Sequence, residues 1–113
     1  MIKKNVLITG TSTGLGFETA ILFAKNGYKV YATMRNLKKA DALNTKIETD
    51  NLDIEILPLD VTDVKSIHSA VSKIINQDGK IDILINNAGA GFGKTTEHTN
   101  EEEIRWVTEV NYH

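Results

Sequence analysis

The chain is 113 residues long, 41% apolar and 25% charged, with a formal net charge of −2. Those values describe one folded domain and give no electrostatic reason to expect nucleic acid or an acidic membrane surface as a partner. No cysteine is present, which excludes disulfides, a thiol nucleophile and zinc–thiolate sites.

The start, Met1-Ile2-Lys3-Lys4, is basic, but the apolar run after it is too short for a signal-peptide core. No run approaches the length of a membrane span, so the expectation is a cytoplasmic protein without a membrane partner. A first strand is expected over Asn5 to Thr9, where Val6-Leu7-Ile8 suits a strand covered on both faces of a parallel sheet. It feeds the glycine-studded turn Gly10-Thr11-Ser12-Thr13-Gly14-Leu15-Gly16, which opens a helical pattern running to Lys25 and stopped by Asn26-Gly27.

That turn has the makings of a phosphate cradle. Gly10 can take the left-handed turn out of the strand, Gly14 can let backbone N–H groups approach a pyrophosphate, and Gly16 can let helix and strand pack closely. Unpaired N–H groups of the first helical turn point at the anion, and Thr11, Ser12 and Thr13 offer hydroxyls as caps or further phosphate donors. The spacing is G-x-x-x-G-x-G, and no Gly-Lys-Ser/Thr of a Walker loop follows. Taken alone, it has a second reading as a ligand-free β-to-α turn.

A second strand is expected over Tyr28 to Met34, followed by Arg35-Asn36 and a polar helix over Leu37 to Thr49. The third strand, Asp53 to Leu59, ends at Asp60-Val61, and Pro58 hints at an edge position. Val64, Ile67, Val71, Ile74 and Ile75 then recur at helical spacing, with Thr62 as expected N-cap and Gly79 beyond the end. A fourth strand, Ile81 to Ile85, leads into Asn86-Asn87-Ala88-Gly89. After a loop over Ala90 to His98, Thr99 and Glu102 have capping-box spacing for a helix expected to run to the last residues. Strands alternating with helices predict an α/β domain with a parallel sheet and right-handed crossovers, spanning 1–113.

At this point the chain resembles the short-chain dehydrogenase/reductase family, in its one-domain branch. It carries T-G-x-x-x-G-x-G as Thr9 to Gly16, an aspartate closing the third strand as Asp60, N-N-A-G as Asn86 to Gly89, and V-N as Val110-Asn111. More weakly, Tyr31-Ala32-Thr33-Met34-Arg35-Asn36-Leu37-Lys38 looks like members acting on hydroxysteroids or retinoids. The resemblance implies a partial Rossmann-type doubly wound sheet of strand order 3-2-1-4, with a dinucleotide over the carboxyl ends of the strands. It implies that Asp60 meets the adenine amino group, that Val61 lies against the ring, and that Asn87, Ala88 and Gly89 line the path of the nicotinamide ribose. Asn86 is expected to bridge strands, and Asp60 has a second reading as a helix cap.

NAD sites place a carboxylate near the end of the second strand, about 20 residues past the glycine loop. Here that position is Met34, followed by Arg35. A guanidinium can pair bidentately with the 2′-phosphate of NADP, so NADP is expected over NAD; the plain alternative is a solvated loop arginine.

The family's chemistry is hydride transfer between nicotinamide and an alcohol or carbonyl substrate, with Tyr-x-x-x-Lys as acid/base pair and a serine orienting the substrate. No Tyr-x-x-x-Lys occurs here: Ala32 stands four after Tyr28, Arg35 four after Tyr31, and Tyr112 is next to last. Of the catalytic set only Asn111 has a counterpart. Three readings follow: the N-terminal half of a reductase, a stand-alone dinucleotide-binding module, or a non-catalytic interaction protein. The resemblance also implies a homo-oligomer, with Trp106 on the last helix as the interface residue. His68, His98 and His113 lack metal-ligand spacing, and no metal site is expected.

Overall fold

A computed structural model describes residues 3–87 and the backbone at 106–107. At its centre is β1, Asn5–Ile8, buried at all four positions. A strand whose every residue is apolar or internally bonded must be covered on both faces, and it is. Val6 and Ile8 pack on one side with Ala20, Ile21 and Leu43, while Leu7 packs on the other with Ile74, Ile81 and Leu84. The period-two alternation of the strand thus divides the core into two layers.

The first layer is covered by α1, Gly14–Lys25, and α2, Asp41–Asp50; the second is covered by α3, Val64–Asp78. The other strands are β2, Lys29–Met34, β3, Ile54–Pro58, β4, Ile83–Ile85, and β5, Trp106–Val107. All pair in parallel in the order β3-β2-β1-β4-β5, which contains the expected 3-2-1-4. Pro58 lies on β3, the edge strand of that order, as expected of a residue without an N–H to donate.

Several boundaries differ from the sequence expectation for local reasons. The helix expected over Leu37 to Thr49 is split, because the Asn36 side chain accepts the Lys38 N–H and caps a single 3₁₀ turn, Leu37–Lys39, before α2 begins. The N-cap of α3 is Asp63, whose Oδ1 accepts the Lys65 N–H at 3.0 Å, and not Thr62. Val64, expected on the apolar stripe of α3, is 67% exposed, since it sits ahead of the turn that first reaches the sheet.

The largest correction concerns the end of the chain. In place of a helix, the backbone at Trp106–Val107 is a strand, paired with Leu84 and Ile85. An aromatic followed by a β-branched residue suits the pleat, and the outer edge of β4 otherwise presents unpaired N–H and C=O groups. The outer edge of β4 is thereby covered at Leu84 and Ile85. The Trp106 side chain, the Thr99 capping box, and Ala88, Gly89 and Asn111 lie outside the described residues.

At the amino ends of the strands Asn5, 2% exposed, ties β1 to the approach to β4. Its N–H donates to Asp82 Oδ2 at 2.8 Å, its Oδ1 accepts the Asp82 N–H at 2.8 Å, and its Nδ2 donates to the Lys80 carbonyl at 2.8 Å. Burial pushes the Asp82 carboxyl up, but the Lys80 ammonium at 2.6 Å and the Asn5 N–H outweigh it, and the net shift is downward from 3.8. A depressed folded value means that this stabilisation is complete above the unfolded pKa and is lost as pH falls through the folded value. Asn5→Ala leaves buried partners unsatisfied and is expected to cost about 2–3 kcal/mol in denaturant unfolding at neutral pH. Asp82→Asn should flatten the acid limb of the stability–pH curve; an unchanged limb would remove Asp82 from the account.

Candidate functional site

Because the strands are parallel, four connections converge at their carboxyl ends: Thr9–Thr13, Arg35–Asn36, Leu59–Asp63 and Asn86–Asn87. The first leaves β1 through Gly10 at φ 69°, a left-handed geometry that favours glycine. Thr11 is fully buried, and both its N–H and its Oγ1 donate to the Thr33 carbonyl at 3.1 Å. The sequence had suggested this hydroxyl as a helix cap or phosphate donor; in the fold it instead donates to the Thr33 carbonyl and fastens the turn to β2. Thr33 returns the tie, its Oγ1 donating to the Ile8 carbonyl at 2.9 Å.

Thr13 occupies the N-cap position of α1 with extended backbone, yet its side chain makes no capping bond. The start of α1 is open to solvent, with Ser12 half-buried and Thr13, Gly14 and Leu15 exposed. Gly14 has φ 63°, and a Cβ built on it would meet nothing within 4 Å. Gly16 is the opposite case. A Cβ there would lie 2.0 Å from the Gly10 carbonyl oxygen and 2.7 Å from Asn87 Nδ2. One glycine leaves open space over the helix end, and the other lets the helix close on the turn.

Asn86 and Asn87 bring the end of β4 to the same place. Thr9 Oγ1 donates to Asn86 Oδ1 at 3.0 Å, so Asn86 bridges strands as expected, and Asn87 Nδ2 donates to the Gly10 carbonyl at 3.2 Å. The carbonyl that Gly16 must avoid is thus the one Asn87 holds.

At the end of β2, Met34 is buried in the core, and Arg35 after it is exposed. Beyond β3, Asp60 is fixed from two sides. Its N–H donates to Ser66 Oγ at 2.8 Å, and its Oδ1 accepts from Thr62 Oγ1 at 2.7 Å and the Thr62 N–H at 3.0 Å. These Thr62 bonds, helped by the charge of Arg35, hold the Asp60 carboxyl below its ordinary 3.8. Asp60 is not the cap of α3, since Asp63 is. Val61 beside it is half-buried. Sequence reasoning missed Thr62 and Ser66 as partners of Asp60, although aspartate two residues before threonine is a recognised side-chain turn.

Among the described residues no group of three His, Asp or Glu could hold a metal ion, and no helix is long and apolar enough to cross a membrane.

A family model described as short chain dehydrogenase matches residues 4–113. The chain belongs to the short-chain dehydrogenase family. It is 36% identical over 113 residues to 3-ketodihydrosphingosine reductase of Bacteroides thetaiotaomicron, covering 99% of this chain and 38% of that one. To retinol dehydrogenase 12 of Mus musculus it is 37% identical over 99 residues, covering 83% and 31%. A metagenomic short-chain oxidoreductase, solved in complex with NADP, superposes with a TM-score of 0.71 at 27% identity, covering 78% and 40%. The chain thus spans about a third of the length of the curated relatives it matches. The family binds a nicotinamide dinucleotide, and the residues here fit one: a solvent-exposed helix start, open space at Gly14, and a cation and a carboxylate at the neighbouring strand ends.

The two glycines separate stability from binding. Gly14→Ala, which pays only for a left-handed alanine, should lose about 1–2 kcal/mol and still fold, while dinucleotide affinity drops. Gly16→Ala drives a methyl into backbone and should lower the unfolding midpoint far more. Thermal melts of both variants beside cofactor titrations check this ordering.

Proposed function

We propose that residues 1–113 are the cofactor-binding part of an NADP-dependent oxidoreductase that moves a hydride between nicotinamide and an alcohol or carbonyl substrate. The observation that carries the cofactor preference is the end of β2: Met34, and not a carboxylate, occupies its last position and is buried in the core, and Arg35 after it is exposed. A 2′-phosphate would find a guanidinium there and no competing charge on that strand. The relative solved with NADP supports the same preference.

In this reading Gly10, Ser12, Thr13, Gly14 and Leu15 cradle the pyrophosphate, with Thr11 and Gly16 holding the cradle's shape from behind. Asp60 accepts a hydrogen bond from the adenine amino group and Val61 lies along the ring. Asn87, Ala88 and Gly89 border the nicotinamide ribose, and Asn111 belongs to the proton relay. The bound cofactor supplies or takes up the hydride. The residues of this chain bind and orient it, and none of them forms the Tyr-x-x-x-Lys pair that would carry the proton. One relative is named as a keto reductase and the other as a retinol dehydrogenase, which agrees with an alcohol or carbonyl substrate.

Arg35→Ala tests the preference. Losing a charge-assisted contact should weaken NADPH binding about 10- to 100-fold and leave NADH binding within about twofold, both read from the fluorescence of the reduced nicotinamide. Equal losses for the two cofactors, or none, would return Arg35 to the status of a solvated loop residue.

A further inference from the structure

Asp60 needs more than position to read a base. A free carboxylate rotates about its terminal torsion, which is broad and roughly two-fold, and can offer either oxygen in many directions. It can also be drawn to a nearby cation. Arg35 follows the last residue of the adjacent strand and acts on Asp60 through space, yet no ion pair joins the two among the described residues. What holds Asp60 is Thr62, through two bonds to a single oxygen, while Ser66 holds the Asp60 N–H.

We propose that Thr62 is a positioning residue for base recognition: it engages Oδ1 of Asp60 from its N–H and its hydroxyl, so that Oδ2 is presented to the adenine amino group. This rests on the reading of Asp60 as the adenine acceptor given above. The clamp accomplishes two things. It fixes the direction of the Asp60 oxygen left for the base, and it keeps Asp60 from folding over onto Arg35, which stays available to a 2′-phosphate. Thr62 touches neither cofactor nor substrate in this account, and it is exposed, so its replacement leaves the core intact.

The consequence is selectivity for the base. Adenine offers an amino donor at C6, whereas hypoxanthine offers a carbonyl acceptor there, which a fixed carboxylate oxygen repels. The measurement is the ratio of dissociation constants for the hypoxanthine analogue of NADPH and for NADPH itself, taken from nicotinamide fluorescence on the intact protein. Thr62→Val, isosteric but without the hydroxyl, should lower that ratio about three- to tenfold, Thr62→Ala should do the same, and Thr62→Ser should retain it.

Asp60→Asn supplies the control. The side-chain turn needs an acceptor facing Thr62, so the amide oxygen takes that place and the amide NH₂ faces the base, shifting the ratio about tenfold or more toward hypoxanthine. Adding Thr62→Val to this variant removes one of the two donors that hold the amide oxygen and should bring the ratio part of the way back toward unity. If Asp60→Asn shifts the ratio but neither Thr62→Val nor Thr62→Ala does, Thr62 is not the clamp and the proposal is overturned while the adenine reading stands. Weakening of both ligands by one factor, with the ratio unchanged, also overturns it, because that marks a merely structural role. An unchanged ratio in Asp60→Asn removes the adenine reading, and the proposal with it.

Discussion

The structure depends on one constraint, the alignment of β1 with β4 at a constant offset of 77 positions. Asn5 meets Asp82, Val6 lies beside Ile83, Thr9 meets Asn86 and Gly10 meets Asn87, all at that separation. Backbone pairing alone allows slippage, because a strand shifted by one residue keeps its hydrogen bonds and only turns its side chains over. Here the register is locked at both ends by asparagines whose amides match specific partners. At the amino ends Asn5 exchanges bonds with Asp82, and at the carboxyl ends Asn86 and Asn87 hold Thr9 and the glycine turn. The shape of the candidate site is therefore fixed by the strand pair beneath it.

The two ends of the sheet use charge differently. At the amino ends the groups satisfy one another. The Tyr31 hydroxyl, in a fully buried residue, donates to Asp78 at 2.5 Å and accepts from Gln77 at 3.2 Å, while Gln77 also donates to Glu55. Burial, reinforced by the bond to Asp78, pushes the Tyr31 phenol far above its ordinary value, so it stays neutral and serves as a donor. At the carboxyl ends the arrangement is open: an exposed start of α1, an exposed Arg35, and a carboxylate engaged through one oxygen. Closed networks hold a fold together, whereas partly open groups at the end of a parallel sheet meet a ligand.

The sequence alone determined the alternation of strands and helices, the parallel order 3-2-1-4, and the family. Each is written in local chemistry: apolar runs of strand length, helical spacing of apolar residues, and glycines where the backbone must turn left or pack close. It also marked Gly16 as a close contact and Asn86 as a bridge.

What only the tertiary structure decided lies where a side chain had two available partners. Thr11 was read as a donor to phosphate because its hydroxyl follows a glycine turn, but the Thr33 carbonyl of the neighbouring strand takes both of its donors. Asp60 and Asp63 compete for the start of α3, and the choice depends on where Ser66 and Thr62 fall once the helix has formed. Residues Trp106 and Val107 read as part of a helix from their surroundings in sequence, yet pair as a strand because β4 offers an edge. Local pattern records what a residue is able to do; the partner that arrives from another strand, often 77 positions away, selects which of those it does.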